Sequence, residues 1–317
     1  MKNSHKNNVD MRDAFFNGLY EIIEADKNVI VLTADHGAFG LNKIKKDFPK
    51  QYINMGIAEQ NMVSVAAGLA LSGKIIYIYS IVNFVTLRCL EQINIDIASM
   101  NLHINIVGVG TGFTYSTDGP THHGTQDIAI MSAIPNLSIY NSSDNVNTYA
   151  FAKLGYEKKG PKYFRIEKGI FQNLYDNKTF SFEQGISKII EYKDITILSS
   201  GLLVHKAIKI SKSIEKDGYK VGVIDLYRIK PINVNMLIQF IVDTKKLLII
   251  EDNIMTGGIG EKVSATIHEN GLDIKIKKIS ISNQYFFIYN KNRELVEKDC
   301  GLDLNTLKNH VKKFITL

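Results

Sequence analysis

The feature that most constrains the fold of this 317-residue chain is a regular alternation of short apolar runs with amphipathic segments. Residues Met11 to Ile23 carry apolar side chains at helical spacing after Asp10, a suitable N-cap, and Val29–Thr33 is an apolar run of strand length. Strands of this kind alternating with helices are typical of parallel sheets covered by helices on both faces. The chain is therefore predicted to have an α/β fold.

The alternation continues through two long stretches of the sequence. The helices expected from it are Glu59–Ser72, Phe84–Met100, Val146–Glu157, Leu203–Lys216, Val234–Asp243, Gly260–Asn270 and Leu304–Phe314. The strands expected are Ile75–Tyr79, Ile104–Val109, Leu137–Tyr140, Tyr163–Ile166, Ile195–Leu198, Val221–Leu226, Lys246–Glu251 and Ile274–Ile279. Residues 167–185 break the rhythm with Gly, Asn, Asp and Lys, which predicts a linker. We expect two α/β domains, residues 1–180 and 185–317.

Composition excludes several classes of protein. Apolar residues make up 45% and charged residues 22%, the balance of a soluble globular chain. No apolar run reaches the roughly 18 residues of a membrane span, and the polar start lacks a signal-peptide core. Cys89 and Cys300 follow no metal or redox spacing, so a reduced, cytoplasmic protein is expected. The net charge of +6 comes from scattered lysines such as Lys43, Lys45 and Lys46, predicted to lie on solvated faces, which does not favour nucleic-acid binding.

Glu59 lies where a glycine-containing turn leads into a predicted amphipathic helix. From spacing alone, a glutamate in a first helical turn most simply complements the helix dipole. The whole string Gly-Ile-Ala-Glu-Gln-Asn, however, resembles the signature of the pyrimidine-binding domain of transketolases and 1-deoxyxylulose-5-phosphate synthases. The resemblance covers nearly the whole chain and adds a transketolase C-terminal domain. It implies thiamin diphosphate as cofactor, with Glu59 as the catalytic carboxylate that holds a proton on ring atom N1′ of the aminopyrimidine.

Three further residues are assigned to cofactor binding by the same resemblance. Phe84 matches the family phenylalanine whose ring stacks on the aminopyrimidine, while Ile81 stands where the family has a second phenylalanine. Arg88 follows in the same motif. Asp35 resembles the family aspartate near the thiazolium at the subunit interface. Without the neighbouring motif, Phe84 would be interpreted as an ordinary core residue.

The string Asp118-Gly-Pro-Thr-His122 resembles the family segment whose aspartate and histidine contact sugar hydroxyls next to the reacting carbon. The resemblance implies substrate-binding roles for both residues and a catalytic role for His122 in proton transfer. Arg12 and Arg165 fall where transketolases place arginines that bind the substrate phosphate, although each could equally be a surface arginine.

Several positions depart from the family pattern. His123 stands where the family usually has glutamine and is expected to be a surface histidine; its role and that of His36 stay open. Gly110 replaces a phosphate-contacting histidine, and Phe39 replaces a serine. These losses suggest an unusual sugar, a modified sugar or a bulkier conjugate as acceptor.

The family's diphosphate anchor, a Gly-Asp-Gly segment with an asparagine some 25 to 30 residues on, is not found in this sequence. The resemblance therefore implies that this chain supplies the pyrimidine-binding and substrate-binding residues of the site but not the residues that bind the diphosphate. An N-terminal, diphosphate-binding partner subunit is expected to supply the Mg²⁺ ligands, with no metal ligand from this chain, in an α2β2 assembly.

The implied reaction is transfer of a two-carbon ketol unit from a ketose or ketose phosphate to an aldehyde. One alternative is a pyruvate-using subunit like those of 1-deoxyxylulose-5-phosphate synthase or the 2-oxoacid dehydrogenase beta chain. The two histidines after Asp-Gly-Pro-Thr favour the ketose-cleaving type. A non-enzymatic alternative is a regulatory or scaffolding remnant, although a remnant has no reason to keep Glu59, Phe84 and His122 together.

Overall fold

The structure is a computed structural model, and it describes residues 9–176, 182–192, 194–287 and 291–316. The chain forms two compact units. The first unit consists of Met1–Thr111 and Ile130–Phe182, and the second of Gly112–Ala129 and Glu183–Leu317. The segment Gly112–Ala129 thus groups with the second unit. It carries Asp118 and His122, and we call it the substrate loop after the role that the resemblance implies for these two residues. The domains expected from the sequence, residues 1–180 and 185–317, stay a prediction.

The first unit is built on a parallel sheet. Its strands, in the hydrogen-bonded order β5-β6-β4-β3-β1-β2, are β1 (Val29–Thr33), β2 (Tyr52–Asn54), β3 (Ile75–Ile81), β4 (Ile104–Val109), β5 (Ser138–Asn141) and β6 (Lys162–Ile166). The helices up to this point are α1 (Met11–Ala25), α2 (Phe39–Asp47), α3 (Glu59–Leu71), α4 (Val82–Val85), α5 (Leu90–Gln92), α6 (Asp127–Ser132, which crosses the division between units) and α7 (Asn145–Glu157). The predicted α/β class is confirmed.

The core of the first unit follows directly from the apolar runs. Every residue of β1, β4 and β6 is buried, because helices cover both faces of the sheet. Asp10 caps α1 as predicted, accepting a hydrogen bond from the Arg12 amide. The lysines Lys43, Lys45 and Lys46 lie on the exposed face of α2, which confirms that prediction.

The prediction of one continuous helix over Phe84–Met100 is wrong. Helix α4 ends at Val85, a turn follows, and after α5 the backbone forms a π-helix at Ile93–Ala98. The Thr86 hydroxyl donates to the Val82 carbonyl over 2.6 Å, and the Cys89 thiol donates to the Phe84 carbonyl over 3.2 Å. The break escapes sequence analysis because apolar spacing does not distinguish α-helical from π-helical turns. Breaks of this kind are frequent at functional sites.

The second unit contains a five-stranded sheet of order β12-β11-β8-β9-β7. Strand β7 (Ser187–Ile190) runs antiparallel to β9, whereas the other pairs of this sheet are parallel. The other strands of this sheet are β8 (Ile195–Ser199), β9 (Gly222–Asp225), β11 (Lys246–Ile254) and β12 (Lys275–Ile281). The short strand β10 (Arg228–Lys230) is not part of this sheet. The helices are α8 (Leu203–Glu215), α9 (Val234–Ile241), α10 (Ile259–Glu269), α11 (Arg293–Asp299) and α12 (Leu304–Thr316).

The predicted linker, residues 167–185, is packed where the structure describes it; residues 177–181 lie outside the described part. The amides of Leu174 and Tyr175 donate to Asp144 Oδ2 over 2.6 and 2.9 Å. The rings of Tyr175 and Phe182 meet edge to face with centroids 5.6 Å apart. Within the described ranges, no helix combines the length and apolar character needed to cross a bilayer.

Candidate active site

Glu59 is positioned by the turn that follows β2. Gly56 adopts the left-handed backbone conformation, with φ of +69°, which favours glycine at this position. Asn54 Oδ1 accepts hydrogen bonds from the Gly56 amide (2.9 Å) and from the Asp35 amide (3.3 Å). One amide side chain therefore ties the turn before Glu59 to the turn after β1, at the carboxyl edge of the sheet where ligands of parallel sheets bind.

The carboxylate of Glu59 is buried, with 3% of the side chain exposed, and lies beside Arg88 and Phe84. Arg88 Nη1 is 2.8 Å from Glu59 Oε2. The Arg88 guanidinium carbon lies 4.1 Å from the centroid of the Phe84 ring, while 41% of the Arg88 side chain stays exposed. The structure thus brings together Glu59, Phe84 and Arg88, which we call the cofactor cluster. A buried carboxylate beside an aromatic face is suited to binding a flat, cationic heterocycle.

Asp35 lies at the carboxyl end of β1 and is exposed. Its φ of +59° is left-handed, a conformation that is uncommon outside glycine but tolerated by aspartate. The neighbouring His36 ring lies 5.5 Å from the Tyr79 ring. Asp35 is thus held next to the turn that precedes Glu59, through the shared contact with Asn54.

The two predicted phosphate arginines lie in different environments. Arg12 is paired with Asp10, with Nε 3.1 Å from Oδ1, and Asp10 Oδ2 accepts from the Gly169 amide over 3.0 Å. Arg165 is fully buried on β6, so its interpretation as a surface arginine is wrong. Lys168, just past the end of β6, is exposed and precedes the glycine that bonds to Asp10.

In the substrate loop, Asp118 is exposed at the end of a short 3₁₀ turn, Ser116–Asp118. The His122 amide donates to the Gly119 carbonyl over 3.0 Å. The His122 ring is partly exposed, with Nδ1 2.9 Å from the Thr121 hydroxyl and the ring centroid 6.0 Å from that of Tyr115. Asp118 and His122 are therefore presented by one tight turn.

His123 is not the surface histidine that the sequence predicts, because only 4% of it is exposed. Its Nε2 lies 3.2 Å from the Ser116 carbonyl, and its ring meets Phe113 edge to face at 5.0 Å. Burial lowers the pKa of His123 below its ordinary value, with the Ser116 carbonyl acting in the opposite direction. His123 packs the inside of the turn that presents His122 and Asp118.

The substrate loop is anchored to the segment that ends β11. Gly112 and Gly124 exchange backbone hydrogen bonds of 2.9 and 2.8 Å, which closes the loop. The Ile254 amide donates to the Thr125 carbonyl over 2.8 Å, and Asn253 Nδ2 donates to Asp127 Oδ1 over 3.1 Å. Asn253 and Ile254 belong to the run Glu251-Asp-Asn-Ile of the expected C-terminal domain. Sequence reasoning missed this anchor, because nothing in the run itself indicates a contact with a loop so distant along the chain.

Comparison with known protein families yields two matches. Residues 7–173 match the transketolase pyrimidine-binding domain, and residues 186–307 match the transketolase C-terminal domain. Both matches agree with the two-part resemblance identified in the sequence.

Known proteins similar to this chain include chains of comparable length. The putative transketolase C-terminal section of Methanocaldococcus jannaschii is 34% identical over 297 residues, covering 92% of this chain and 92% of that protein. A subunit of the apulose-4-phosphate transketolase of Phocaeicola vulgatus is 30% identical over 279 residues, covering 87% and 89%. A solved structure described as a split-gene transketolase, inactive β4 tetramer, superposes with a TM-score of 0.86 at 27% identity, covering 98% and 99%. On the pyrimidine-binding match and these relatives, the chain belongs to the transketolase family.

Proposed function

We propose that this chain is the C-terminal subunit of a two-chain, thiamin-diphosphate-dependent transketolase. The proposed reaction transfers a two-carbon ketol unit from a ketose or ketose phosphate to an aldehyde. The observation that carries the proposal is the buried carboxylate of Glu59, 2.8 Å from Arg88, whose guanidinium lies over the ring of Phe84. The similarity to transketolase subunits over most of their length supports it.

The residues of the first unit fit the aminopyrimidine half of the cofactor. The Phe84 ring offers a flat apolar face, and Glu59 offers a carboxylate with little exposure to water. When bound, the cofactor supplies an electron sink for the two-carbon unit. Glu59 would hold a proton at N1′ through a charge-assisted hydrogen bond, which burial strengthens. Asp35, at the neighbouring turn, is proposed to face the thiazolium side.

The substrate loop is proposed to bind the sugar. Asp118 would accept a hydrogen bond from a sugar hydroxyl, and His122 would move a proton to or from the oxygen next to the reacting carbon. The ketose-cleaving reaction is preferred because a relative over most of this chain's length carries the name of a sugar-phosphate transketolase.

A phosphate group on the substrate is proposed to bind near Arg12. Arg165, the second arginine expected from the resemblance, stays a prediction, but its full burial makes exposed Lys168 the better-placed cation. Gly110 has a φ of +93°, which disfavours any side chain, so the backbone itself requires glycine where the family has histidine. Phe39, which stands where the family has a serine, is 83% exposed. With this replacement and that at Gly110, we propose an acceptor that differs from simple sugar phosphates.

The rest of the cofactor site is proposed to come from an N-terminal partner subunit, including the Mg²⁺ ligands, in an α2β2 assembly. A similar solved protein is described as an inactive β4 tetramer, which supports the need for a second kind of chain. A cytoplasmic location stays part of this proposal.

The test is to co-purify this chain with a chain carrying the diphosphate-binding domain and to titrate thiamin diphosphate with Mg²⁺ by calorimetry, using each chain alone as control. We expect tight binding by the pair, weak binding by either chain, and turnover of ketose donors rather than pyruvate. Equal binding by this chain alone would contradict the partner requirement. Turnover of pyruvate alone would favour the decarboxylating alternative.

A further inference from the structure

We propose that Arg88 competes with the aminopyrimidine of the cofactor for Glu59 and for the face of Phe84, and so sets how tightly the site binds thiamin diphosphate. This inference rests on the proposed function. It gives Arg88 the role of a displaceable cation, which differs from the role of a permanent cofactor ligand that the family resemblance implies.

The geometry shows why the two groups compete. The guanidinium of Arg88 is planar and cationic, donates to Glu59 Oε2 over 2.8 Å, and lies 4.1 Å from the Phe84 ring centroid. An N1′-protonated aminopyrimidine is also flat and cationic, and the proposed function requires it to donate to the same carboxylate and to stack on the same ring. A carboxylate neutralised by Arg88 is also a poorer acceptor for a second cation.

The chain turn between α4 and α5 places Arg88 in this position. The Arg88 amide donates to the Asn83 carbonyl over 3.1 Å, and the Cys89 thiol donates to the Phe84 carbonyl. These bonds fold the chain back on itself, so that the side chain of Arg88 lies over the ring of Phe84. Cys89 is fully buried and fixes the backbone, whereas 41% of the Arg88 side chain is exposed. The guanidinium can therefore swing away on its flexible stem without unfolding the turn.

Arg88 also compensates the charge of the buried Glu59 carboxylate. A buried carboxylate with no cation or donor is costly, and within the described contacts Arg88 is the cation that pairs with Glu59. The strength of the competition follows from two modest contacts. An ion pair whose cation is 41% exposed and a cation–π contact together correspond to roughly 3- to 30-fold in a binding constant.

The test uses the complex with the partner subunit and measures the Kd of thiamin diphosphate, with Mg²⁺ present, by calorimetry. Arg88→Gln should lower the Kd by roughly 3- to 30-fold, and Arg88→Lys, which keeps charge but loses the flat stacking group, should lower it by less. Lys153→Gln is the matched control, because Lys153 forms a half-exposed ion pair with Glu21 in the same unit at 3.0 Å. Its Kd should equal that of the wild type. An unchanged or raised Kd in Arg88→Gln overturns the inference.

Chemical rescue separates competition from a structural effect. In Arg88→Ala, added guanidinium ion at non-denaturing concentration should raise the Kd toward the wild-type value, while sodium at equal ionic strength should not. The wild type should respond less. An equal response of the two proteins to guanidinium contradicts the proposal. If the wild-type complex binds no thiamin diphosphate, the proposed function fails; if it binds and only the Arg88 variants behave otherwise than expected, this inference alone fails.

Discussion

The cofactor cluster and the substrate loop are built in opposite ways. In the cofactor cluster, side chains contact one another directly, and the carboxylate of Glu59 is nearly inaccessible to water. In the substrate loop, Asp118 is exposed and His122 is partly exposed. This difference fits the proposed roles, because a charge-assisted hydrogen bond to a ring nitrogen is stronger at low dielectric, whereas groups that bind a sugar must be accessible from solvent.

The two regions also differ in the contacts that position their side chains. Glu59 is placed by its own turn and by Asn54, all within the first unit. The substrate loop depends on contacts with the last residues of β11, Asn253 and Ile254. The second unit therefore holds the loop that carries His122, and under the proposed function it contributes to the site as well as to structural support.

Glu59→Gln is expected to have the largest effect, because the amide cannot hold a proton at N1′. Loss of an acid–base group costs about 10²- to 10⁴-fold, and we expect the turnover of the complex to fall by about 10³-fold with the fold retained. Initial rates with a ketose donor measure turnover, and far-ultraviolet circular dichroism checks the fold. Glu24→Gln, an exposed glutamate of α1, is the control and should leave both unchanged. Substantial turnover in Glu59→Gln removes the assignment.

His122→Ala should cost about 10²-fold in kcat/KM, because a proton-transfer group is lost while Glu59 stays intact. The Kd of thiamin diphosphate should not change, since the loop and the cofactor cluster belong to different units. Calorimetry and steady-state kinetics on the same preparation measure the two quantities. A parallel loss of cofactor affinity would break the distinction between the two regions.

Much of the fold could be predicted from local sequence. The strands Val29–Thr33 and Ile104–Val109 are found with the predicted bounds, because continuous apolar runs have no stable place except a sheet buried on both faces. The break after Val85 was not predictable in this way, since it depends on side-chain to backbone bonds at Thr86 and Cys89 that leave the apolar spacing unaltered.

In the candidate site, too, the features set by local sequence could be predicted and those set by tertiary contacts could not. Glu59, Phe84 and Arg88 lie in two contiguous strings that could be recognised, and the structure shows their side chains in contact. The burial of Arg165 and His123 was missed. His123 contacts Phe113 and the Ser116 carbonyl, and the sequence of a loop rich in Gly and Pro does not predict such contacts. The role of a residue in such a loop depends on tertiary packing.

Gly112→Ala tests whether the loop anchor positions the substrate groups. Gly112 has a φ of +52°, and a Cβ there would lie 2.9 Å from Asp252 Oδ2, so the alanine must displace the loop. A small misplacement of positioned groups is costly, and we expect kcat/KM to fall about 10-fold at constant cofactor Kd. Gly73→Ala is the control: its φ is +89°, but nothing lies within 4 Å of the added carbon. Equal losses in both variants would indicate general strain rather than a displaced loop.

His123 gives the smallest effect and the one that depends on pH. Because burial lowers its pKa in the folded loop, the unfolded loop takes up a proton first as the pH falls below about 6.5. The free energy that orders the loop is therefore present above that pH and is lost on acidification. We expect the KM for the sugar donor to rise a few-fold between pH 7 and pH 5.5 in the wild type, because protonation of His123 opposes the ordered loop. In His123→Gln, which stays uncharged, this part of the pH profile should flatten, while the Kd of thiamin diphosphate should be insensitive to the substitution. A profile that keeps its full slope in His123→Gln would assign the acid limb to another group, with His122 the next to test, and would leave His123 with a packing role alone.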